Sequence, residues 1–189
     1  MTPISFKSNF IKSASVQKRS QNGNYTDKSV SVVKIDPKNN ADIFAVSELP
    51  DLWGKKNYVT EISNNLRKVY TYGDYDTPIE SYAVTSQTSD FDKLNSRSIL
   101  GVLQLDTRSD KVNELEYLQI NPNSAKTYES NGGGRLYKYV GSLLIDSIKE
   151  LFPDKKIHVS SAPTAVNFYK NNDFVQTKPV ENQDLTWIG

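Results

Sequence analysis

Two carboxylates, Glu114 and Glu116, stand two residues apart at the start of an apolar extended segment, Leu115-Glu116-Tyr117-Leu118-Gln119-Ile120. Residues i and i+2 share one face of a strand. Two carboxylates on one face repel when both are ionised, and the repulsion raises one pKa toward the value a general base needs. The plainer alternative is a pair of solvated charges flanking an ordinary strand. A phenol, Tyr169, lies on a short amphipathic pattern, where it is either a core aromatic or a hydrogen-bond donor. Between these groups, Gly141 interrupts a helical pattern near its start. The missing Cβ either lets an anion approach the free N–H groups of a helix N-terminus or allows close packing against a strand.

Other chemistries lack their residues. The chain of 189 residues has no Cys, which excludes disulfides, thiol catalysis and Cys-ligated zinc. His158 is the only His, so one chain cannot form a His-pair metal site, and no metal is expected. His158 sits between Ile157 and Val159 and reads as a sheet-face residue. The run Gly132-Gly133-Gly134 lacks the Gly-Lys-Ser/Thr of a nucleotide phosphate loop and reads as a flexible connector. Asp74 and Asp76 lack the third acid, central Gly and terminal Glu of a calcium loop. The net charge of +1 carries no signature of nucleic acid or membrane binding. No apolar run approaches the ~20 residues that span a bilayer, and no secretory leader is evident. A cytoplasmic location is expected.

The elements that must position these groups follow from periodicity. Residues 1–29 are rich in Ser, Asn, Lys and Gln, with Phe6, Phe10 and Ile11 as the clear apolar anchors. Their composition predicts a flexible basic arm, with the folded domain confined to 30–189. Val30 to Ile35 reads as a strand, Ala41 to Leu49 as a helix, and Tyr58 to Tyr70 as a second helix with Val59, Ile62, Leu66 and Val69 on one face. Ile79 to Thr85, Ile99 to Asp106 and Lys111 to Ile120 read as strands, the last two as a hairpin. Arg135 to Phe152 has apolar residues at helical spacing, ended by Pro153. A strand at Lys156 to Ser160, a helix opened by Pro163 and a last strand at 183–188 complete the order. This is an α/β (α+β) layout with a mixed sheet and helices on both faces.

Two segments resemble one family. Tyr137-Lys138-Tyr139-Val140-Gly141-Ser142-Leu143-Leu144 resembles the acyl-CoA motif of the GCN5-related N-acetyltransferases, Gln/Arg-x-x-Gly-x-Gly/Ala. Ala165 to Phe174 resembles that family's Ala-x-x-x-Tyr-x-x-x-Gly-Phe ending. Leu136 stands at the Gln/Arg position, Tyr139 at the first Gly and Asp173 at the late Gly.

The resemblance implies a mostly antiparallel central sheet and transfer of an acetyl group from acetyl-CoA to an amine. The acceptor would be a protein lysine or N-terminus, or a small amine, and the chain a monomer or homodimer. It implies that Tyr139, Val140, Gly141, Ser142 and Leu143 hold the pyrophosphate through main-chain N–H groups. The main chain of Leu118, Gln119 and Ile120 would hold the pantetheine, with Ser160 and Thr164 as further contacts. Glu114 or Glu116 would be the base, and Tyr169 the donor facing the sulfur. The departures from the motif keep a second reading open, a catalytically degraded module that retains the fold and binds CoA or a protein.

Overall fold

The computed structural model describes residues 9–54, 58–75, 77–125, 134–177 and 184–188. The expectations for Phe6, Asp76, Gly132 and Gly133 lie outside them. The chain begins with β1 (Asn9–Arg19) and β2 (Tyr25–Lys34), followed by α1 (Asn40–Ser47), α2 (Leu49–Trp53) and α3 (Tyr58–Tyr72). Then come β3 (Ile79–Thr85), β4 (Ile99–Asp106), β5 (Val112–Ile120), β6 (Tyr137–Lys138) and α4 (Val140–Leu151). The last elements are β7 (Lys156–Ser160), α5 (Val166–Lys170), β8 (Val175–Gln176) and β9 (Asp184–Trp187). The strands form one sheet in the order β6-β1-β2-β3-β4-β5-β7-β9-β8. Among the described strands, only β5 and β7 pair in parallel.

The sheet is mixed and mostly antiparallel, with helices on both faces. Its central strands are buried on both sides, which is why every residue of β4 is buried. On one face α4 packs Val140, Leu144, Ile145 and Ile148 against Val32, Val84 and Leu103. On the other, α1 and α3 pack Ile43, Val59, Ile62 and Leu66 against Val33, Ala83 and Val102. A buried polar line also ties α3 to the sheet: Asn65 donates to Gln104 (2.8 Å), which donates to Ser81 (3.0 Å). Gly101 on β4 lets α4 press close. A Cβ there would stand 2.9 Å from Val140 Cγ1 and 3.1 Å from Leu144 Cδ1. Among the described residues, no helix is long and apolar enough to cross a membrane.

The expected flexible arm is corrected over 9–29. β1 and β2 form a hairpin whose register runs from Asn9↔Lys34 to Arg19↔Tyr25. Val16 is buried in the α4-side core, with Ile11 and Ala14 packed against it. The polar composition hid a two-residue alternation in which Ala14 and Val16 face inward and Ser13, Ser15 and Gln17 alternate with them. It also hid a hairpin signal, Asn22-Gly23, where Gly23 has φ +85°. Removing residues 1–24 would therefore strip the edge of β2 and a buried valine. We expect the truncated protein to lose cooperative thermal unfolding. A truncation that melts as the parent does would mean the hairpin adds nothing to the fold.

The helix expected from Arg135 starts later. Tyr137 and Lys138 pair with Lys18 and Gln17 as β6, and the Arg19 N–H bonds the Leu136 carbonyl (2.9 Å). Leu136 is consequently off the helix and exposed. Periodicity cannot separate these residues from the helix that follows, because their edge partner is more than a hundred positions away.

Candidate active site

The central feature is a parting of strands. β5 and β7 pair only at Val112↔Lys156, Asn113↔Ile157 and Glu114↔His158. β7 pairs with β9 along its other edge, from Ile157↔Trp187 to Ser160↔Asp184, and past Glu114 β5 continues along β4 alone to Gly101↔Ile120. Main-chain groups of Leu118, Gln119 and Ile120 that point away from β4 thus have no strand of the described residues beside them on the β7 side. A bulge sets which side chains point where: Gln104 faces Tyr117 and Leu105 faces Leu115, leaving Glu116 as the extra residue. Leu115, Leu118 and Ile120 consequently pack with the α4-side core, and Tyr117 with the α3-side core.

A cavity of about 610 Å³ opens where β5 ends. Its walls include Ile120, Tyr139, Val140, Gly141, Ser142 and Thr164. These are six of the ten residues that the resemblance assigns to the cofactor. Leu118 and Gln119 lie on the unpaired edge of β5 instead. Ser160 donates to Asp184 Oδ1 (2.8 Å) and is not among the lining residues. Leu143 is corrected as an N–H donor to a ligand. Its N–H closes the first helical turn on the Tyr139 carbonyl (2.9 Å), and its side chain packs on the core. The N–H groups left without an i−4 partner inside the helix are those of Val140, Gly141 and Ser142.

Tyr139 caps α4 in the left-handed conformation, φ 69°, with no side-chain capping bond. Asp173 is left-handed as well, φ 62°. Both are positions where the family motif has Gly. The backbone keeps the glycine-type conformation at each, at a cost of about 1–2 kcal/mol for a residue bearing a Cβ, less for Asp. Strain of this kind collects where function holds it. Gly141 has a packing role. A Cβ there would lie 3.1 Å from Phe168 Cζ and 3.2 Å from Cε2, so the missing side chain admits an aromatic edge from α5, a neighbour that neither alternative read from the sequence had named. A bulky residue at 141 would displace Phe168 as well as narrow the cavity.

Sequence reasoning missed several lining residues. Arg135, Tyr137 and Ser124 come from the segment between β5 and α4, and Phe168 and Asn171 from α5 and its end. The β6 pairing with β1 anchors that segment. The Tyr25 hydroxyl donates to the Arg135 carbonyl (2.8 Å), and Lys138 Nζ stands 3.6 Å over the Tyr25 ring. The Arg19 side chain covers Gly134, where a Cβ would meet its Cζ at 2.7 Å. A signal for this wall existed only in the Tyr137-Lys138 dipeptide, which was read as helix.

Tyr169 is buried, its ring edge-on to Phe168 (5.1 Å) and Phe174 (5.4 Å). Its hydroxyl has no hydrogen-bond partner among the described residues. Burial drives its pKa well above the usual phenol range, and the charge Tyr58 can carry adds to the rise. Tyr58 opens α3 and packs against Tyr117 on β5, ring centroids 5.7 Å apart. Burial also raises the Tyr117 pKa, followed by the charges of Glu116 and Glu61.

Glu114 stands at the vertex of the parting. Its Oε2 lies 2.6 Å from His158 Nδ1, and His158 Nε2 lies 3.8 Å from Asp184 Oδ1. The imidazole thus sits between two carboxylates on the sheet face, as its strand position predicts. Glu114 and Glu116 are both exposed, but Glu116 occupies the bulge. The two share a face only up to that irregularity.

No protein-family model and no curated protein sequence matches the chain. Solved structures do. The Campylobacter jejuni N-acetyltransferase PseH in complex with acetyl coenzyme A superposes with a TM-score of 0.51 at 16% identity, over 84% of this chain and 97% of that one. Tetrahymena GCN5 superposes with a TM-score of 0.54 at 9% identity, over 81% and 92%. A spermidine N-acetyltransferase SpeG chimera from Vibrio cholerae and hSSAT gives 0.52 at 15% identity, over 83% and 92%. Identities this low speak for architecture: the chain has the fold of the GCN5-related N-acetyltransferases.

Proposed function

We propose that the protein transfers an acetyl group from acetyl-CoA to a primary amine by direct attack. The observation that carries this reading is the parting of β5 from β7, with an uncapped helix N-terminus lining the cavity where β5 ends. The similar structures support it, since one of them holds acetyl coenzyme A and another is a spermidine N-acetyltransferase.

In this reading the N–H groups of Val140, Gly141 and Ser142 meet the pyrophosphate, helped by the positive end of α4. The pantetheine amides pair with the open edge of β5 at Leu118 to Ile120, much as a further strand would. The thioester then reaches Tyr169. The amine nitrogen attacks the carbonyl carbon, the C–N bond forms, and the C–S bond breaks. Tyr169 donates a hydrogen bond to the sulfur as charge builds there. Its raised pKa makes full proton transfer uphill, so the thiolate takes its proton afterwards from solvent. Glu114 accepts the amine proton through water, and His158 holds its carboxylate in place. Tyr58, Tyr117, Glu61 and Glu116 give the acceptor side an aromatic and acidic character that suits a cationic amine.

The test is incubation with acetyl-CoA and a panel of amines while free thiol is followed. Thiol release that depends on an amine supports the reading. CoA binding without amine-dependent release would make the protein a binding module. No CoA binding by calorimetry would overturn the reading altogether.

A further inference from the structure

We propose that the Ser124 hydroxyl is a dedicated donor to a phosphate oxygen of the nucleotide cofactor, an inference that rests on the acetyl-CoA reading of the cavity. Ser124 is 2% exposed, and its Oγ is buried with no hydrogen-bond partner among the described residues. Buried hydroxyls in folded proteins are nearly always bonded. An orphan in a residue that lines a cavity calls for a partner from beyond the described residues.

The position of this hydroxyl is held by its neighbours. Ser124 ends a short 3-10 turn, Pro122–Ser124. Asn121 Oδ1 accepts from the Asn123 N–H (3.0 Å), and the Asn121 carbonyl accepts from the Ser124 N–H (2.8 Å). The Asn123 carbonyl accepts from the Leu136 N–H (2.7 Å), tying the turn to the segment that β6 anchors on β1. The turn is thus braced before any ligand enters.

Its surroundings select an anion. Ser124 lines the same cavity as Val140, Gly141 and Ser142 at the start of α4, and as Arg135. Among the described residues that line it there is no carboxylate. A helix N-terminus, a guanidinium and an unbonded hydroxyl together match a phosphate, whose oxygens accept hydrogen bonds and carry negative charge. The side chain of Asn113, the other buried group with unpaired polar atoms, borders none of the cavities described, so it offers no comparable site.

The inference makes two measurements move in opposite directions. Ser124→Ala removes an unpaired buried polar atom, so the ligand-free variant should unfold at the same or a higher urea concentration than the parent. Its affinity for CoA should fall about tenfold or more, as for a lost hydrogen bond to a charged group. Inorganic pyrophosphate and ADP should lose affinity in the same sense, and pantetheine, which has no phosphate, should bind both proteins alike. Equal CoA affinity of parent and variant would overturn the inference. So would a lower urea midpoint, because the hydroxyl would then already have a partner. If the parent binds pyrophosphate in a Ser124-dependent way but does not bind CoA, the phosphate site stands and the acetyltransferase reading fails. If the parent binds neither, both fail.

Discussion

Tyr169→Phe is expected to lower amine-dependent acetyl transfer by about 10²- to 10⁴-fold while leaving CoA affinity nearly unchanged. The variant keeps the ring that packs against Phe168 and Phe174 and removes only the hydroxyl. That hydroxyl bonds no described residue, so the fold loses no hydrogen bond with it. Burial raises the folded-state pKa of the phenol above its ordinary value, with two consequences. Tyr169 stays protonated, and able to donate, throughout the range in which an amine acceptor is assayed. Its burial also couples folding to alkaline pH. A group whose folded pKa exceeds its unfolded one contributes stability below the unfolded value, about 10 for Tyr, and loses it as pH rises further. Urea midpoints of the parent should therefore fall more steeply above that pH than those of Tyr169→Phe. Equal turnover of the two proteins would remove Tyr169 from the chemistry.

Glu114→Gln carries the second large effect. The substitution keeps the volume and removes the charge that accepts the amine proton. We expect a loss of about 10²- to 10⁴-fold at neutral pH. The loss should shrink as pH rises, because the free amine becomes more abundant and needs the base less. Glu116→Gln should change the rate only a few-fold and by the same factor at every pH, since Glu116 sits in the bulge rather than at the vertex beside His158. A pH–rate profile of both variants with one acceptor decides between them. If Glu116→Gln shows the steep, pH-dependent loss and Glu114→Gln the flat one, the base has been assigned to the wrong carboxylate.

The strands at Ile79–Thr85, Ile99–Asp106 and Lys156–Ser160 were legible in the sequence to the residue. Each is a run of β-branched and apolar residues between clear turn signals, and local chemistry suffices to mark it. The mixed sheet with helices on both faces followed from the order of the elements, and the family resemblance supplied six of the residues that line the cavity. What the sequence could not show was pairing. Residues 9–29 of the hairpin looked like a solvated leader because their inward face is small and interrupted. Only β2 beside it and α4 above it bury Val16.

The same limit applies to the site. Alternation along β5 shows which residues are apolar, but its bulge, and the point at which its pairing with β7 stops, depend on strands far off in the chain. Tyr139 and Asp173 read as lost glycines, yet the backbone holds both in the conformation glycine would take. The residues of a helix start are local, and so visible in the sequence. Whether Gly141 faces a ligand or the edge of Phe168, and whether the Ser124 hydroxyl finds a partner, is settled by segments that meet only on folding. Side-chain periodicity records how each residue contacts the core, whereas partners across the sheet are chosen by the fit of whole layers.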